Sequence, residues 1–391
     1  MQPLSPRDVS LRSTALALAI GSIALLILGL QPILLGQLFA AQVVTIQGIG
    51  LIAMGEIVAL GLGVVLADAF LPLSRAWRIA ALASLTIMVL DGITCLIDGD
   101  LPMAAVRTMA GLPEGILVWL TTSIIVRSHN PDRLAAVFMV AQTLSQAIVA
   151  ALFTGVVVPM AGWQGGFAVL AALSLLPCML ARSLPQRLRP LHSQSSAGMR
   201  WSFTSLLPLT LAFLQMASIG SLWAYLEPLG LAYGLHDQDV GGVVSLVLMM
   251  QVCGGIVAIF TVRRLNTRLI LALGTVALGG IALTLLQLDK PSLALFSMLL
   301  AAFGFTWLFI MPFHIVLAFI VDPSGRVAVL VPAAQLLGSA FGPLIVSLAV
   351  QDDNALLVPV FSAGFAMLAL VLKTLGHIPL SRQAALLENT P

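Results

Sequence analysis

The placement of basic residues constrains this chain more than any motif does. Sixteen of its 18 Lys and Arg fall in seven clusters: Arg7/Arg12, Arg75/Arg78, Arg127/Arg133, Arg182/Arg187/Arg189/Arg200, Arg263/Arg264/Arg268, Arg326 and Lys373/Arg382. Between consecutive clusters lie two long apolar stretches. The link joining them lacks Lys and Arg, apart from Lys290 beside Asp289, and carries acids instead: Asp98/Asp100, Asp237/Asp239, Asp289 and Asp352/Asp353. Loops rich in Lys and Arg stay on the cytoplasmic side of a membrane. Each period is then one outward and one return crossing, and six periods predict twelve membrane-spanning helices with both termini cytoplasmic. Arg107 breaks the pattern by sitting inside an apolar stretch.

Hydrophobic residues make up 60% of the chain and charged residues 9%, against roughly 25% charged in soluble domains. A soluble fold could not bury that much apolar surface. Spread over twelve crossings, 391 residues leave about 32 each, where a spanning helix needs ~20. Loops are therefore short, with no room for a soluble domain. The first apolar stretch, Ser13 to Leu38, is longer than a signal-peptide core and no A-x-A-like site follows it, so it reads as a signal anchor. Cys95, Cys178 and Cys253 fall in apolar stretches and read as small packing residues rather than disulfides or metal ligands. No G-x-x-x-x-G-K-[ST], metal-spaced cluster or nucleophile–base pair is visible. The sequence thus predicts neither an enzyme nor an ATP-driven pump, and it calls for no metal or other cofactor.

Expected crossings are 13–38, 46–69, 77–97, 102–126, 134–158, 165–183, 203–231, 239–262, 267–287, 292–320, 327–350 and 354–376. The longest link, Pro185 to Arg200, is basic and Ser-rich and divides them into two sixes: a first bundle over 1–184, a cytoplasmic linker over 185–201 and a second bundle over 202–391. The halves repeat. At an offset of 193, Arg133, Gln142 and Ala147 meet Arg326, Gln335 and Ala340, and Gln31-Pro32 matches Glu227-Pro228. Such repeats mark halves related by an axis along the membrane normal.

The whole chain resembles the major facilitator superfamily. The family's loop pattern G-x-L-A-D-[RK]-x-G-[RK]-[RK] survives in part as Leu66-Ala67-Asp68, with Gly63 one place early and the basic pair Arg75 and Arg78 late. Its fourth-helix pattern R-x-x-q-G appears as Arg107-Thr-Met-Ala-Gly111, and Gly162-Trp163-Gln-Gly-Gly-Phe167 resembles its entry to the sixth helix. The antiporter Gly-Pro of the fifth helix is absent between Gln142 and Gly155. The resemblance implies an all-α membrane fold of two pseudo-symmetric six-helix bundles. It also implies a coupling role for Arg107, and a charged gating latch at Asp68, Arg75 and Arg78 with Arg133 beside them.

Ionisable groups inside a bilayer cost about 2.5–3.5 kcal/mol each on insertion scales, so they are functional candidates. Arg107 and Glu114 lie two turns apart on one face of the fourth crossing. Arg107 either biases a neighbouring carboxyl or pairs structurally with Asp91. Glu56 either exchanges protons or bonds to a neighbouring backbone or Gln side chain. Glu227 is either a cavity acid or a solvated residue beside the belt aromatics Trp223 and Tyr225. His314, near Trp307 on the tenth crossing, reads first as a hydrogen-bonded packing group. Gln31, Gln142, Gln146, Gln251 and Gln335 are further cavity candidates, some of which must act as interhelical glue. Gly111/Gly115 and Gly338/Gly342 make small-residue surfaces for close helix packing.

The function expected is secondary active transport of a small organic solute across the cytoplasmic membrane by alternating access. Protons on Glu56, Glu114 or Glu227, tuned by Arg107, would drive it. Cavity acids favour export of a cationic or neutral amphipathic compound. Proton-driven import of a small organic acid held by Arg107 is the transport alternative, and a lipid flippase or a non-transporting receptor relative is the alternative of another class. The partners expected are the solute, protons and membrane lipid, with no nucleic acid and a monomeric chain.

Overall fold

Several of these segments are apolar on every face, a pattern that suits a lipid surround. With no water to satisfy peptide groups in hydrocarbon, each crossing must bond its backbone internally, and helices do this. The computed structural model describes residues 11–127, 131–184, 203–322, 326–350 and 354–375. Its helices are, in order, α1 (Leu11–Ala24), α2 (Leu26–Ala40), α3 (Ile46–Phe70), α4 (Ala76–Thr94), α5 (Asp100–Ile125), α6 (Pro131–Leu152), α7 (Val158–Leu173), α8 (Leu175–Leu180), α9 (Phe203–Trp223), α10 (Leu226–Ala232), α11 (Asp237–Thr261), α12 (Thr267–Leu286), α13 (Leu293–Val321), α14 (Arg326–Ala349) and α15 (Val358–Leu375). Among the described residues, eleven stretches are long and apolar enough to cross a membrane. One of them, Val137–Ser183, runs for 47 residues, about twice what a bilayer requires. It is interrupted at Gly162, where φ is 61° and ψ is −160°. That backbone is open essentially to glycine alone. The linker 185–201 lies outside the described residues.

The first and seventh crossings are both broken. Leu25 (φ −98°, ψ 4°) separates α1 from α2, and Tyr225 (φ −108°, ψ 15°) separates α9 from α10. Pro32 and Pro228 follow. Because proline has no N–H, the carbonyls four residues earlier, Leu28 and Ala224, lose their helical partner. The repeat of Gln31-Pro32 and Glu227-Pro228 thus marks a repeated structural interruption. Elsewhere caps set the starts: Thr45 accepts from the Gly48 N–H at 3.1 Å, Asn266 accepts from Arg268 and Leu269, and Ser292 accepts from Leu295, each satisfying a donor that the first turn leaves free.

Two bundles result. In the first, α5 packs along α3 and α4; in the second, α9 packs on α14 and α15, and α11 on α13. Glycine decides the closest approaches. A Cβ on Gly111 or Gly115 would run into the Glu56 or Leu60 carbonyl of α3. On Gly338 or Gly342 it would run into the Phe213 or Ala217 carbonyl of α9. These are the small-residue faces expected from the sequence.

The turns that carry Asp100 and Asp237 lie at one end, beside the turn between α2 and α3. Thr45 bonds Asp100 from its N–H (2.8 Å) and its hydroxyl (2.6 Å), and Gly99 N–H bonds the Val43 carbonyl at 3.0 Å. At this end the bundles meet: α2 lies on α10, α3 on α14 and α6 on α11. One continuous apolar core runs through the contact, from Leu30 and Leu34 to Leu226 and Leu229. Asp68, Arg75 and Arg78 are exposed at the opposite, basic end.

Candidate functional site: a buried charge cluster and a closed seam

Three helices of the first bundle bring four ionisable side chains together. Glu56 comes from α3, Asp91 from α4, and Arg107 and Glu114 from α5. Each is at most 3% exposed. Arg107 donates through Nη1 to Asp91 Oδ1 at 2.5 Å. Through Nη2 it donates to Glu56 Oε1, and the same nitrogen lies 3.6 Å from Glu114 Oε1. Gly111 and Gly115 make this possible, because they let α5 approach α3 closely enough for the guanidinium to reach across. The ring of Phe167 lies 5.1 Å from the guanidinium carbon, adding a face that attracts the cation.

The charges do not balance. One guanidinium faces three carboxyls, and unpaired charge is expensive away from water. The cluster is neutral when two of the three carboxyls carry protons. Glu56 Oε2, Glu114 Oε2 and Arg107 Nε have no hydrogen-bond partner among the described residues, so the cluster retains capacity to give and accept hydrogen bonds. Arg107 does both things read for it in the sequence: it pairs with Asp91 and it sits against two further carboxyls. Glu56 pairs with Arg107 rather than with a backbone or Gln group.

Glu227 is distant in sequence and sits at the seam. It is 1% exposed, so it is not solvated. Gln37 of α2 donates to its Oε1 at 2.7 Å and approaches Asp237 Oδ2 at 3.5 Å. Its side chain packs on Gly36 of the first bundle. Trp223 donates its indole N–H at 2.9 Å to the carbonyl of Leu28, the group that Pro32 leaves free. Trp223 also meets Trp307 edge-on, with centroids 5.3 Å apart. The Tyr225 hydroxyl donates to the Pro343 carbonyl at 3.1 Å and lies against Gly50 of the first bundle. Both aromatics are buried in the seam and do not form an outer belt.

The remaining candidates divide by partner. His314 lies between Gln215 (2.5 Å to Nε2) and Gln335 (3.0 Å to Nδ1). Gln215 donates to the Leu271 carbonyl at 2.9 Å and to Thr275 Oγ1 at 2.5 Å. With Gln335 donating to Nδ1, His314 donates from Nε2, and the network is satisfied with a neutral ring. It ties α9, α12, α13 and α14, as packing would require. Gln146 donates to the Leu25 carbonyl at 2.6 Å, holding the α1–α2 break. Gln31 Nε2 and Gln251 Nε2 are buried with no partner among the described residues, as is Gln142 Oε1. Asp68 accepts from the Trp119 indole at 3.0 Å, with Arg127 beside it, while Arg78 lies over the Trp77 ring at 5.2 Å. The side chain of Arg133 lies outside the described residues. Phe167 stood out in the sequence only as part of the entry to the sixth helix, and Gln37 and the Leu28 carbonyl did not stand out at all. The signal for Leu28 was present, since a proline four residues on frees that carbonyl. Nothing local marked Gln37, whose partner is 190 residues away.

No protein-family model matches the chain, and no curated protein resembles it in sequence. Among solved structures it is similar to a mutant form of the nucleoside transporter NupG, with a TM-score of 0.74, 13% identity, and coverage of 93% of this chain and 100% of that one. At that identity the likeness establishes the fold: an all-helical, multi-pass membrane architecture of the major facilitator type.

Proposed function

We propose that the chain is a proton-coupled secondary transporter of the major facilitator superfamily. Its bundles, 1–184 and 202–391 about the linker 185–201, supply twelve crossings, the stretch 137–183 counting as two about Gly162. Both termini are cytoplasmic, in the cytoplasmic membrane. The bundles rock about a central site, and the seam closed by Gln37, Trp223, Tyr225 and Glu227 opens in the alternate state. The observation that carries the coupling is the cluster of Glu56, Asp91 and Glu114 around one Arg107. Three carboxyls about one cation can take up and release protons while the net charge stays small. Asp68, Arg75, Arg78 and Arg133 would form the gate of the opposite face when the seam is open.

Arg107 is engaged by carboxyls from three helices, which supports coupling rather than capture of a substrate carboxylate. That favours a cationic or neutral amphipathic solute, moved outward, over an organic acid drawn in. A purified-protein thermal-shift panel of organic cations, nucleosides and organic acids would name it. Nucleosides are included because the matched structure is a nucleoside transporter. A compound present at a hundredfold its Kd stabilises the folded state by about 2.7 kcal/mol. The compound found would then be followed into proteoliposomes under a pH gradient. Glu114→Gln and Glu56→Gln should each lose gradient-driven flux. Full flux in both would sink the coupling.

A further inference from the structure

A cavity of about 20 Å³ lies against the charge cluster. Its polar wall is Asp91 of α4, Arg107 and Glu114 of α5, and Ser174 at the end of α7; Ala24 and Leu170 are among its apolar neighbours. A buried water requires about 10–15 Å³ of such space and two to four polar partners. Both conditions are met here, and the space fits one molecule. Glu114 Oε2 and Arg107 Nε are buried and unpartnered among the described residues. The ionisable groups facing the cavity are Asp91, Arg107 and Glu114; Glu56 of α3 is reached through Arg107 Nη2. Ser174 donates its own hydroxyl proton to the Leu170 carbonyl at 2.9 Å, which leaves its oxygen free to accept.

We propose that this cavity is a one-water site and that its water moves a proton between Glu114 and Asp91. The water accepts the proton of the Glu114 carboxylic acid as it gives one of its own to the Asp91 carboxylate. Glu114 ends ionised, Asp91 ends neutral, the water is unchanged and the cluster keeps its net charge. Arg107 then changes the carboxylate it holds, releasing Asp91 at Nη1 and drawing Glu114 in at Nη2. Asp91 is thereby a proton-exchanging group rather than a fixed counter-ion. This step rests on the coupling reading above and deepens it.

The test requires no substrate. Infrared difference spectra of the purified chain in lipid nanodiscs, taken on a jump from acid to alkaline buffer, report protonated carboxyls by their C=O stretch. They report a buried water by an O–H band that shifts in H₂¹⁸O. The wild type should show both bands changing together. Ser174→Thr keeps the hydroxyl and adds one methyl group to the cavity, so it should lose the water band and slow hydrogen–deuterium exchange of the carboxyls by at least about tenfold, a barrier increase of ~1.4 kcal/mol. Asp91→Asn removes the acceptor and should leave the Glu114 band unmoved by the jump. A folded, monodisperse Ser174→Thr protein that keeps the water band and the wild-type exchange rate overturns the proposal. Should that variant not fold, Asp91→Asn and a cryo-EM map of the wild type decide it: density within hydrogen-bond distance of both Asp91 and Glu114 supports the site, and a continuous apolar gap there overturns it. Glu114→Gln separates the two readings. If it leaves the carboxyl signal intact, Glu114 is not the donor and the water site fails, while the coupling reading fails only if Glu56→Gln and Glu114→Gln both keep full gradient-driven flux; if Glu114→Gln removes the signal while Ser174→Thr behaves as wild type, the water site alone fails.

Discussion

Consider Arg107→Gln. The guanidinium holds Asp91 through Nη1 and Glu56 through Nη2, with Glu114 3.6 Å from the latter, and all four side chains are buried. Glutamine replaces five donors with two and removes the positive charge. Breaking a buried ion pair by deleting one partner costs about 3–5 kcal/mol, because it leaves an uncompensated charge behind. The loss should therefore be in that range, and it should be repaired from the other side. Glu56→Gln in the same chain removes one of the stranded carboxyls and turns a charge-bearing contact into an amide pair. Residues sharing one network couple by about 0.5–3 kcal/mol, so the double variant should recover at least ~1 kcal/mol relative to the sum of the singles. Reversible SDS unfolding of the purified protein in mixed micelles, followed by Trp fluorescence, measures all four corners of the cycle. An Arg107→Gln loss below about 1 kcal/mol, or strictly additive effects, would show that the cluster is neither dry nor tightly coupled. The charge-balance argument would then fail.

Three further outcomes follow from the seam and the packing. Gln37→Ala strands the buried Glu227 carboxyl and loosens the bundle contact by roughly 1–3 kcal/mol. Ser347 is buried against Gly50 in the seam; Ser347→Cys, in a chain otherwise freed of Cys95, Cys178 and Cys253, should then react with an impermeant maleimide about 5–150 times faster, and an unchanged rate would mean Gln37 does not hold the seam. Gly162→Ala forces a side chain into a backbone region essentially limited to glycine and should cost about 1–3 kcal/mol in the same unfolding assay, whereas Gly155→Ala, with nothing within 4 Å of its Cβ, should cost less than half as much. Gly115→Val drives Cβ into the Leu60 carbonyl and should cost about 1–3 kcal/mol, with loss of gradient-driven flux because Arg107 and Glu114 shift with α5.

The membrane-spanning segments were legible because hydrocarbon imposes a one-dimensional rule: each crossing must be apolar, helical and long enough. The observed helices begin and end within a few residues of the expected crossings in α3, α4, α5, α11 and α12. Gly111 and Gly115 were legible as a packing face for the same reason, since their spacing places both on one side of a helix. Arg107, Glu56 and Glu114 could be singled out by the cost of their burial alone.

Which groups those side chains meet was decided in three dimensions. Arg107 reaches Glu56, 51 positions away, because two glycines let α5 settle on α3. Glu227 could be read as solvated or as a cavity acid until its turn was seen pressed against Gly36 and Gln37 of the other bundle. Trp223 and Tyr225 had the composition of an interfacial belt and instead close a seam, one of them on a carbonyl that Pro32 set free. The amino-acid order by itself determined that this chain crosses a membrane many times, in two repeated halves, with a small number of costly charges inside. Helix packing determined that those charges form one unbalanced cluster and that the halves close at the acidic end. Burial energy depends on a residue's own chemistry, whereas compensation depends on neighbours that only folding brings within reach.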